Sequence, residues 1–148
     1  MKLNSLNIMI VLIAVLGLIT ACDEDNPQGF STQPSAIVTL DEVGQDTFDF
    51  EEINNGTAVN FTLGVTNATN TTLSGINILV SYKDKEDIAL KTVNAKENVV
   101  VSINETLLAL DVNVDQVKEN DVFTYAFVAD LSDGSIARSP NRLAVSVE

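Results

Sequence analysis

Apolar and polar residues alternate in short segments along residues 36–148 of this chain. A β-strand points successive side chains to opposite faces, so a period of two predicts strands with one buried face. The apolar side chains predicted to point inward are Val59, Phe61, Leu63, Val65, Ile76, Ile78, Val80, Tyr82, Val99, Val101, Ile103, Phe123, Tyr125, Phe127, Leu143, Val145 and Val147. A chain with this pattern is expected to fold as an all-β domain.

The connections between these segments carry turn-forming residues. Ser132-Asp133-Gly134-Ser135 predicts a hairpin, and Asp84-Lys85-Glu86-Asp87 predicts a turn that leads into a strand over 88–93. Two short strands are also predicted over 37–40 and 47–50, where they can share one edge. Short connections of this kind favour antiparallel neighbours.

The fold class follows from the number and spacing of these strands. Only residues 105–110 break the alternation; they predict one or two helical turns, with Asn104 as the expected N-cap. Seven to nine strands within 148 − 35 = 113 residues are typical of a sandwich. The Cys–Trp–Cys pattern of immunoglobulin domains is missing, since the chain has one Cys and no Trp. We therefore predict an immunoglobulin-like or fibronectin-III-like antiparallel sandwich over 36–148.

The N-terminal segment predicts targeting rather than folded structure. After Lys2, residues 3–22 carry no charge, and the apolar run 8–19 has the length of a signal-peptide core. It is shorter than the ~20 apolar residues that a spanning helix needs. We predict a signal peptide over 1–21.

The end of this run resembles the bacterial lipobox, after which a lipid-modified cysteine becomes the new N-terminus. The residues that carry the resemblance are Ile19, Thr20, Ala21 and Cys22, and Cys22 is the single cysteine of the chain. The resemblance implies lipid attachment at Cys22 and a membrane as partner through that lipid. The alternatives are a spanning anchor with an incidental cysteine and a secretory peptide cleaved without lipid.

Acidic residues follow directly, at Asp23, Glu24 and Asp25. A charge run of this kind is typical of a solvated linker, and residues 22–35 as a whole predict a flexible tether. The run also resembles the export signal of Bacteroidota surface lipoproteins, which implies a lipid-anchored protein of the outer membrane that faces the cell exterior. In enteric bacteria an Asp at this place instead implies the periplasmic face of the inner membrane.

The C-terminal third resembles sandwich domains of Bacteroidota surface lipoproteins, including accessory lipoproteins of glycan-uptake systems. The resemblance rests on Asn120-Asp121-Val122-Phe123, Asp133-Gly134 and Ser139-Pro140-Asn141. Asn120 stands where the family has Gly, and Asn tolerates the left-handed backbone that this turn requires. The resemblance implies an accessory role with a glycan, a protein or an outer-membrane transporter as partner.

Composition excludes several function classes. The chain has 21 acidic and 8 basic residues, a net charge of −13, so phosphate backbones repel it and no nucleic acid is expected as partner. It has no His, which excludes His-based acid–base catalysis and His-ligated metals. No pair of carboxylates stands out as catalytic, and we expect no enzyme, no cofactor and no metal site.

Two clusters leave alternatives open. Asp84, Glu86 and Asp87 could hold a weak calcium ion, or form a solvated turn with neighbouring lysines as counter-charges. Phe48 and Phe50 could belong to the core or offer a strand edge to a partner.

The two tyrosines bear directly on sugar binding, which relies on exposed aromatic rings. Tyr82 and Tyr125 share the parity of inward-facing neighbours, so we expect both to be core residues with a buried hydroxyl partner. The sequence thus predicts a lipid-anchored, non-enzymatic envelope protein that serves as a surface accessory or binding subunit. The alternative is a structural or spacer lipoprotein of the envelope.

Overall fold

The computed structural model describes residues 36–67 and 71–148, with the backbone alone for Asn67. The predicted signal peptide (1–21) and tether (22–35) lie outside this part. The described residues form nine strands, two α-helices and one 3-10 helix. The strands are β1 (Ala36–Val43), β2 (Thr47–Phe48), β3 (Ala58–Asn67), β4 (Leu73–Tyr82), β5 (Lys85–Val93), β6 (Asn98–Ser102), β7 (Val122–Leu131), β8 (Ile136–Arg138) and β9 (Leu143–Val147); the helices are α1 (Phe50–Asn54), α2 (Ile103–Leu110) and the 3-10 helix Val114–Gln116.

The strands form two sheets. One has the order β1-β3-β6, and the other has the order β2-β9-β7-β4-β5, with β8 paired to β7. All pairs are antiparallel except β2 with β9. The described residues therefore form an all-β sandwich of two sheets, as the sequence predicted.

The core lies between the sheets and is built from the predicted inward positions. All seventeen side chains named above are buried except Val65, which is partly buried. Phe61 of the smaller sheet meets Phe127 of the larger one, with ring centroids 5.3 Å apart. Within the larger sheet, Tyr82 stacks on Phe123 at 4.7 Å. The alternation of period two therefore located the core correctly.

The predicted strand over 47–50 is half wrong. Phe48 is a buried core residue of β2, but Asp49 ends the strand and caps α1. Asp49 and Glu52 form a capping box, in which each side chain accepts a hydrogen bond from the other residue's backbone N–H. Phe50 opens the helix and is 39% exposed. The first two strands also belong to different sheets and share no edge.

The predicted N-cap of α2 is also wrong. Ser102, two residues before Asn104, holds the extended cap conformation, and its Oγ accepts a hydrogen bond from the Asn104 N–H at 3.2 Å. The helix therefore begins at Ile103, whose side chain stays in the core. Ser102 and Glu105 have the Ser-x-x-Glu spacing of a helix start, a signal in the sequence that points to the correct cap.

The turn between β4 and β5 is shorter than predicted. It consists of Lys83 and Asp84, and β5 starts at Lys85. A β-bulge follows, because Ser81 lies opposite two residues, and the second of them, Asp87, has a φ of 51°. The Asp87 N–H donates to Ser81 Oγ at 2.9 Å. The hairpin predicted at 132–135 is confirmed, with Gly134 at a φ of 82°.

The side of the sandwich between β5 and β6 is closed by α2 and one lysine. Helix α2 packs against both strands. Lys91 of β5 donates to the carbonyl oxygen of Val100 at 2.5 Å and pairs with Glu105 at 3.2 Å. Lys85 donates to the carbonyl oxygens of Leu110 and Asp111, at the C-terminus of α2. The helix is thereby fixed across the two strands.

Candidate functional site

One end of the sandwich carries the helix α2, the 3-10 helix and the β4–β5 turn. Ala36 lies at the other end. It pairs with Asn67, the last residue of β3, and this end of β3 is close to the start of β4. Strand β4 then runs the length of the sheet to the Lys83–Asp84 turn. We call the end with α2 and this turn the helix-bearing end.

Tyr82, Lys83 and Asp121 form a polar cluster at the helix-bearing end. The Tyr82 hydroxyl donates to Asp121 Oδ2 at 2.5 Å, and the Lys118 N–H donates to the same oxygen at 2.7 Å. The Lys83 ammonium lies 3.0 Å from this carboxylate and 4.5 Å from the centre of the Tyr82 ring. It also donates to the carbonyl oxygen of Gln116 at 3.1 Å. The cluster joins the β4–β5 turn to the segment before β7.

The cluster changes the ionisation of its members. Burial, with the Asp121 carboxylate, raises the pKa of Tyr82, and hydrogen bonds with Tyr82 and Asp121 raise the pKa of Lys83. Burial acts to raise the pKa of Asp121, but the hydrogen bonds from Tyr82, Lys83 and the Lys118 N–H outweigh it, and the pKa lies below its usual value of 3.8. The carboxylate is therefore the charged centre of the cluster at neutral pH.

Asn120 precedes this carboxylate and has the left-handed backbone expected from the sequence, with a φ of 68°. Its N–H donates to the carbonyl oxygen of Val147 at 2.7 Å. The left-handed backbone predicted at Asn120 is therefore present.

Three depressions adjoin one another at the helix-bearing end. The first, the sheet-face groove, measures about 360 Å³ and is lined by Ser81, Tyr82, Lys83, Glu86, Asp87, Val122, Thr124 and Arg142. The second measures about 190 Å³ and is lined by Tyr82, Lys83, Asp84, Lys85, Asp111, Val112 and Gln116. The third, the helix-end groove, measures about 350 Å³ and is lined by Leu107, Leu108, Asp111, Val112, Asn113 and Gln116. Neighbouring depressions share lining residues, so they form one continuous surface.

The sheet-face groove has a polar lining whose charges are mostly paired. Asp87 accepts a hydrogen bond from Arg138 at 2.8 Å, and Lys83 is held by Asp121. The Asp87 Oδ1 atom is buried and has no hydrogen-bond partner among the described residues. Arg142 is exposed and makes no ion pair within the described part of the chain. The groove offers the unpaired Asp87 Oδ1 and the Arg142 cation, which makes no ion pair among the described residues.

The acidic turn does not gather its carboxylates. Asp87 faces Arg138, and no group of three or more Asp, Glu or Cys residues lies close enough to hold a metal ion within 36–67 and 71–148. The counter-charge of Asp87 is Arg138, and not Lys83 or Lys85 as the sequence predicted for this turn.

Both tyrosines are buried, as expected, and both have hydroxyl partners. Tyr82 is 4% exposed and Tyr125 fully buried. The Tyr125 hydroxyl lies 2.9 Å from Thr106 Oγ1, which is also fully buried. Burial raises the pKa of Tyr125 to about 12. Tyr125 thus ties β7 to α2, and neither tyrosine offers its ring as a platform for a sugar.

Replacing Tyr125 with phenylalanine is expected to lower the free energy of unfolding by about 1–3 kcal/mol, because it leaves the Thr106 hydroxyl buried without this partner. Wild-type stability is expected to fall as pH rises above 10, since the unfolded state loses the phenolic proton near pH 10 and the folded state keeps it to about 12. The variant should lose less stability in that range. Denaturant unfolding at pH 7 and pH 11 measures both effects.

Thr106→Val provides the matched partner for this test. Removing both hydroxyls leaves no unpaired polar group, so the double variant is expected to be more stable than the sum of the two single losses predicts. Strict additivity of the two losses would contradict a direct hydrogen bond.

The predicted anchor residues lie outside the described part of the chain. They are Ile19, Thr20, Ala21, Cys22, Asp23, Glu24 and Asp25. Among the described residues, no helix has both the length and the apolar character required to cross a membrane.

Comparison with known proteins adds no relative. No protein-family model matches the chain, and no curated protein matches it at a significant level.

The sequence did not predict the surface at the helix-bearing end, because neither Arg142 nor Leu108 was singled out. A signal for Leu108 is available, because positions 103, 106, 107 and 110 have the i, i+3, i+4, i+7 spacing of one helix face, and Leu108 falls outside it.

Proposed function

We propose that this chain is a lipid-anchored, non-enzymatic envelope protein that acts as a surface accessory or binding subunit. The observation that carries the proposal is the continuous surface of three depressions at the helix-bearing end. Concave surfaces with a few polar groups are where proteins bind partners and ligands. Within the described residues, the sandwich begins at Ala36, at the end opposite the helix-bearing end.

The geometry favours a protein or transporter partner over a glycan. Sugar-binding sites rely on exposed aromatic rings, and Tyr82 and Tyr125 are both buried. Within the described residues, Phe50 is the one exposed aromatic side chain, and it lines none of the three depressions.

The positions and partners of the carboxylates at the helix-bearing end support the proposal that the protein is not an enzyme. In the sheet-face groove, the two carboxylates belong to the neighbouring residues Glu86 and Asp87, and Arg138 binds one oxygen of Asp87. Glycoside hydrolysis requires two carboxylates on either side of the bond that breaks. The acid with the most contacts, Asp121, has Tyr82 and Lys83 as partners and serves to join loops.

The anchor is tested by labelling cells with a palmitate analogue. Wild type is expected to incorporate the label and Cys22→Ala to lose it completely, because Cys22 carries the only thiol in the chain. Ser35→Ala, a change in the predicted tether, is the matched control and should keep the label. An unlabelled wild type would refute the lipid anchor.

Protease treatment of intact cells tests the side of the membrane. Labelled wild type is expected to be cut, and a variant with Asp23→Asn, Glu24→Gln and Asp25→Asn is expected to keep the label and become protected. Protection of the wild type itself would place the protein on an inward-facing leaflet. That result would replace the surface role by the structural or spacer role in the envelope.

A further inference from the structure

Leu108 is the most exposed large apolar side chain among the described residues, at 82%. It lies on α2 at the rim of the helix-end groove, whose apolar floor includes the buried Leu107 and the partly buried Val112. Single exposed leucines are common on protein surfaces. Leu108 differs because it adjoins a depression of about 350 Å³ with an apolar floor.

The groove has negative charge and no basic lining residue. Asp111 ends α2 with a φ of 51°, is exposed, and has no side-chain partner among the described residues. Asp115 follows in the adjoining 3-10 helix. The groove also receives the negative end of the α2 helix dipole. The nearest lysine, Lys85, lines the neighbouring depression and donates to the carbonyl oxygens of Leu110 and Asp111.

The walls of the groove are fixed before any partner binds. Asn113 and Gln116 form a capping box, in which the Asn113 N–H donates to Gln116 Oε1 at 3.0 Å. The Val112 N–H donates to the carbonyl oxygen of Leu107 at 2.9 Å, which ties the helix end to the segment that follows. A preformed groove loses little conformational entropy on binding.

We propose that the helix-end groove docks a protein segment that presents a Lys or Arg beside aliphatic side chains. The aliphatic groups cover Leu108 and Val112, and the cation meets the Asp111 carboxylate, which has no side-chain partner among the described residues. Charge complementarity selects this occupant, because a second copy of a chain with a net charge of −13 would be repelled, as would an anionic lipid surface. This inference rests on the proposed binding role and names the chemistry of the partner.

The test uses the full-length chain in a neutral detergent and a fluorescent synthetic peptide of alternating Lys and Leu as the probe. Leu108→Ser is expected to weaken binding about tenfold or more, through the loss of buried leucine surface. Asp111→Asn is expected to weaken it about threefold to tenfold. Asn tolerates the left-handed backbone at this position, so that variant keeps the fold.

The controls separate the groove from general attraction to an acidic protein. Ile136→Ser is the matched variant, because Ile136 is 69% exposed and lies beside the β7–β8 turn, far from α2. It should bind the peptide as wild type does. A Lys–Ser peptide of the same charge should bind at least about tenfold more weakly than the Lys–Leu peptide, and a Glu–Leu peptide should not bind.

Equal weakening by Ile136→Ser and Leu108→Ser would overturn the proposal, and so would equal binding of the Lys–Leu and Lys–Ser peptides. Self-association of the wild type that Leu108→Ser abolishes would assign the groove to a second copy instead. None of these results depends on palmitate labelling or protease exposure. Failure of the docking inference is therefore distinguishable from failure of the proposed surface role.

Discussion

Phe127→Ala is expected to lower the free energy of unfolding by about 3–5 kcal/mol, the cost of emptying a large buried site. Phe127 is fully buried on β7, and its ring meets that of Phe61 across the two sheets at 5.3 Å. The loss would be a large share of the 5–15 kcal/mol that stabilises an ordinary domain. At about 4 °C per kcal/mol, the midpoint of thermal unfolding should drop by roughly 12–20 °C.

Phe50→Ala is the matched control for this experiment. Phe50 is the same residue type but is 39% exposed at the start of α1, so its removal should cost less than about 1 kcal/mol. Urea unfolding of wild type and both variants measures the difference. Losses of similar size at the two positions would show that Phe127 does not connect the sheets as described.

Asp121→Ala is expected to cost about 2–3 kcal/mol at neutral pH, because it removes the acceptor shared by the Tyr82 hydroxyl and the Lys118 N–H. The side chain of Asp121 is 17% exposed, so water can replace these bonds only in part. Lys83 loses its ion pair as well, which adds little because it is largely solvated. Denaturant unfolding at pH 7 measures the loss.

The stability difference between wild type and Asp121→Ala is expected to depend on pH. The pKa of Asp121 lies below its usual value of 3.8, so its stabilisation is complete above about pH 4 and is lost as the pH falls through the lower folded-state pKa. The difference between wild type and Asp121→Ala should therefore shrink in acid. Asp84→Ala removes an exposed carboxylate from the neighbouring turn and should show neither effect. A constant difference down to pH 2 would rule out the carboxylate as the cause.

The faces of the strands could be predicted from the sequence because parity is a local property. Tyr82 and Tyr125 were assigned to the core from their neighbours at every second position, and both are buried. The hairpin at 132–135 was predictable for the same reason, whereas the left-handed backbone of Asn120 was expected from a resemblance of its turn. Each depends on the conformation of a few consecutive residues.

The errors arose where two local signals competed. Asp49 could continue a strand or cap a helix, and its capping box with Glu52 decided for the helix. Asn104 and Ser102 are both good N-cap residues, and the burial of Ile103 is compatible with the cap at Ser102. The choice in each case depends on packing that the alternation of apolar residues does not encode.

The candidate surface could not be predicted because its residues come from distant parts of the chain. Asp121 lies 39 positions from Tyr82, and Arg138 lies 51 positions from Asp87. The pairing of β4 with β5 and β7, and of β8 with β7, brings these partners together. The anchor residues around Cys22 are the opposite case, since a short contiguous motif carries the whole prediction.

The side of the sandwich between β5 and β6, which α2 and Lys91 close, affects whether neighbouring copies can pair through their strand edges. Under the proposed lipid attachment, the chain would be concentrated in two dimensions, where neighbouring copies meet often and any bare strand edge could pair with another copy. Lys91 occupies the carbonyl oxygen of Val100, and α2 lies across both strands. A buried or bound lysine and a covering helix are known ways to prevent such edge-to-edge pairing. This side of the molecule is thereby suited to remain monomeric at high surface density.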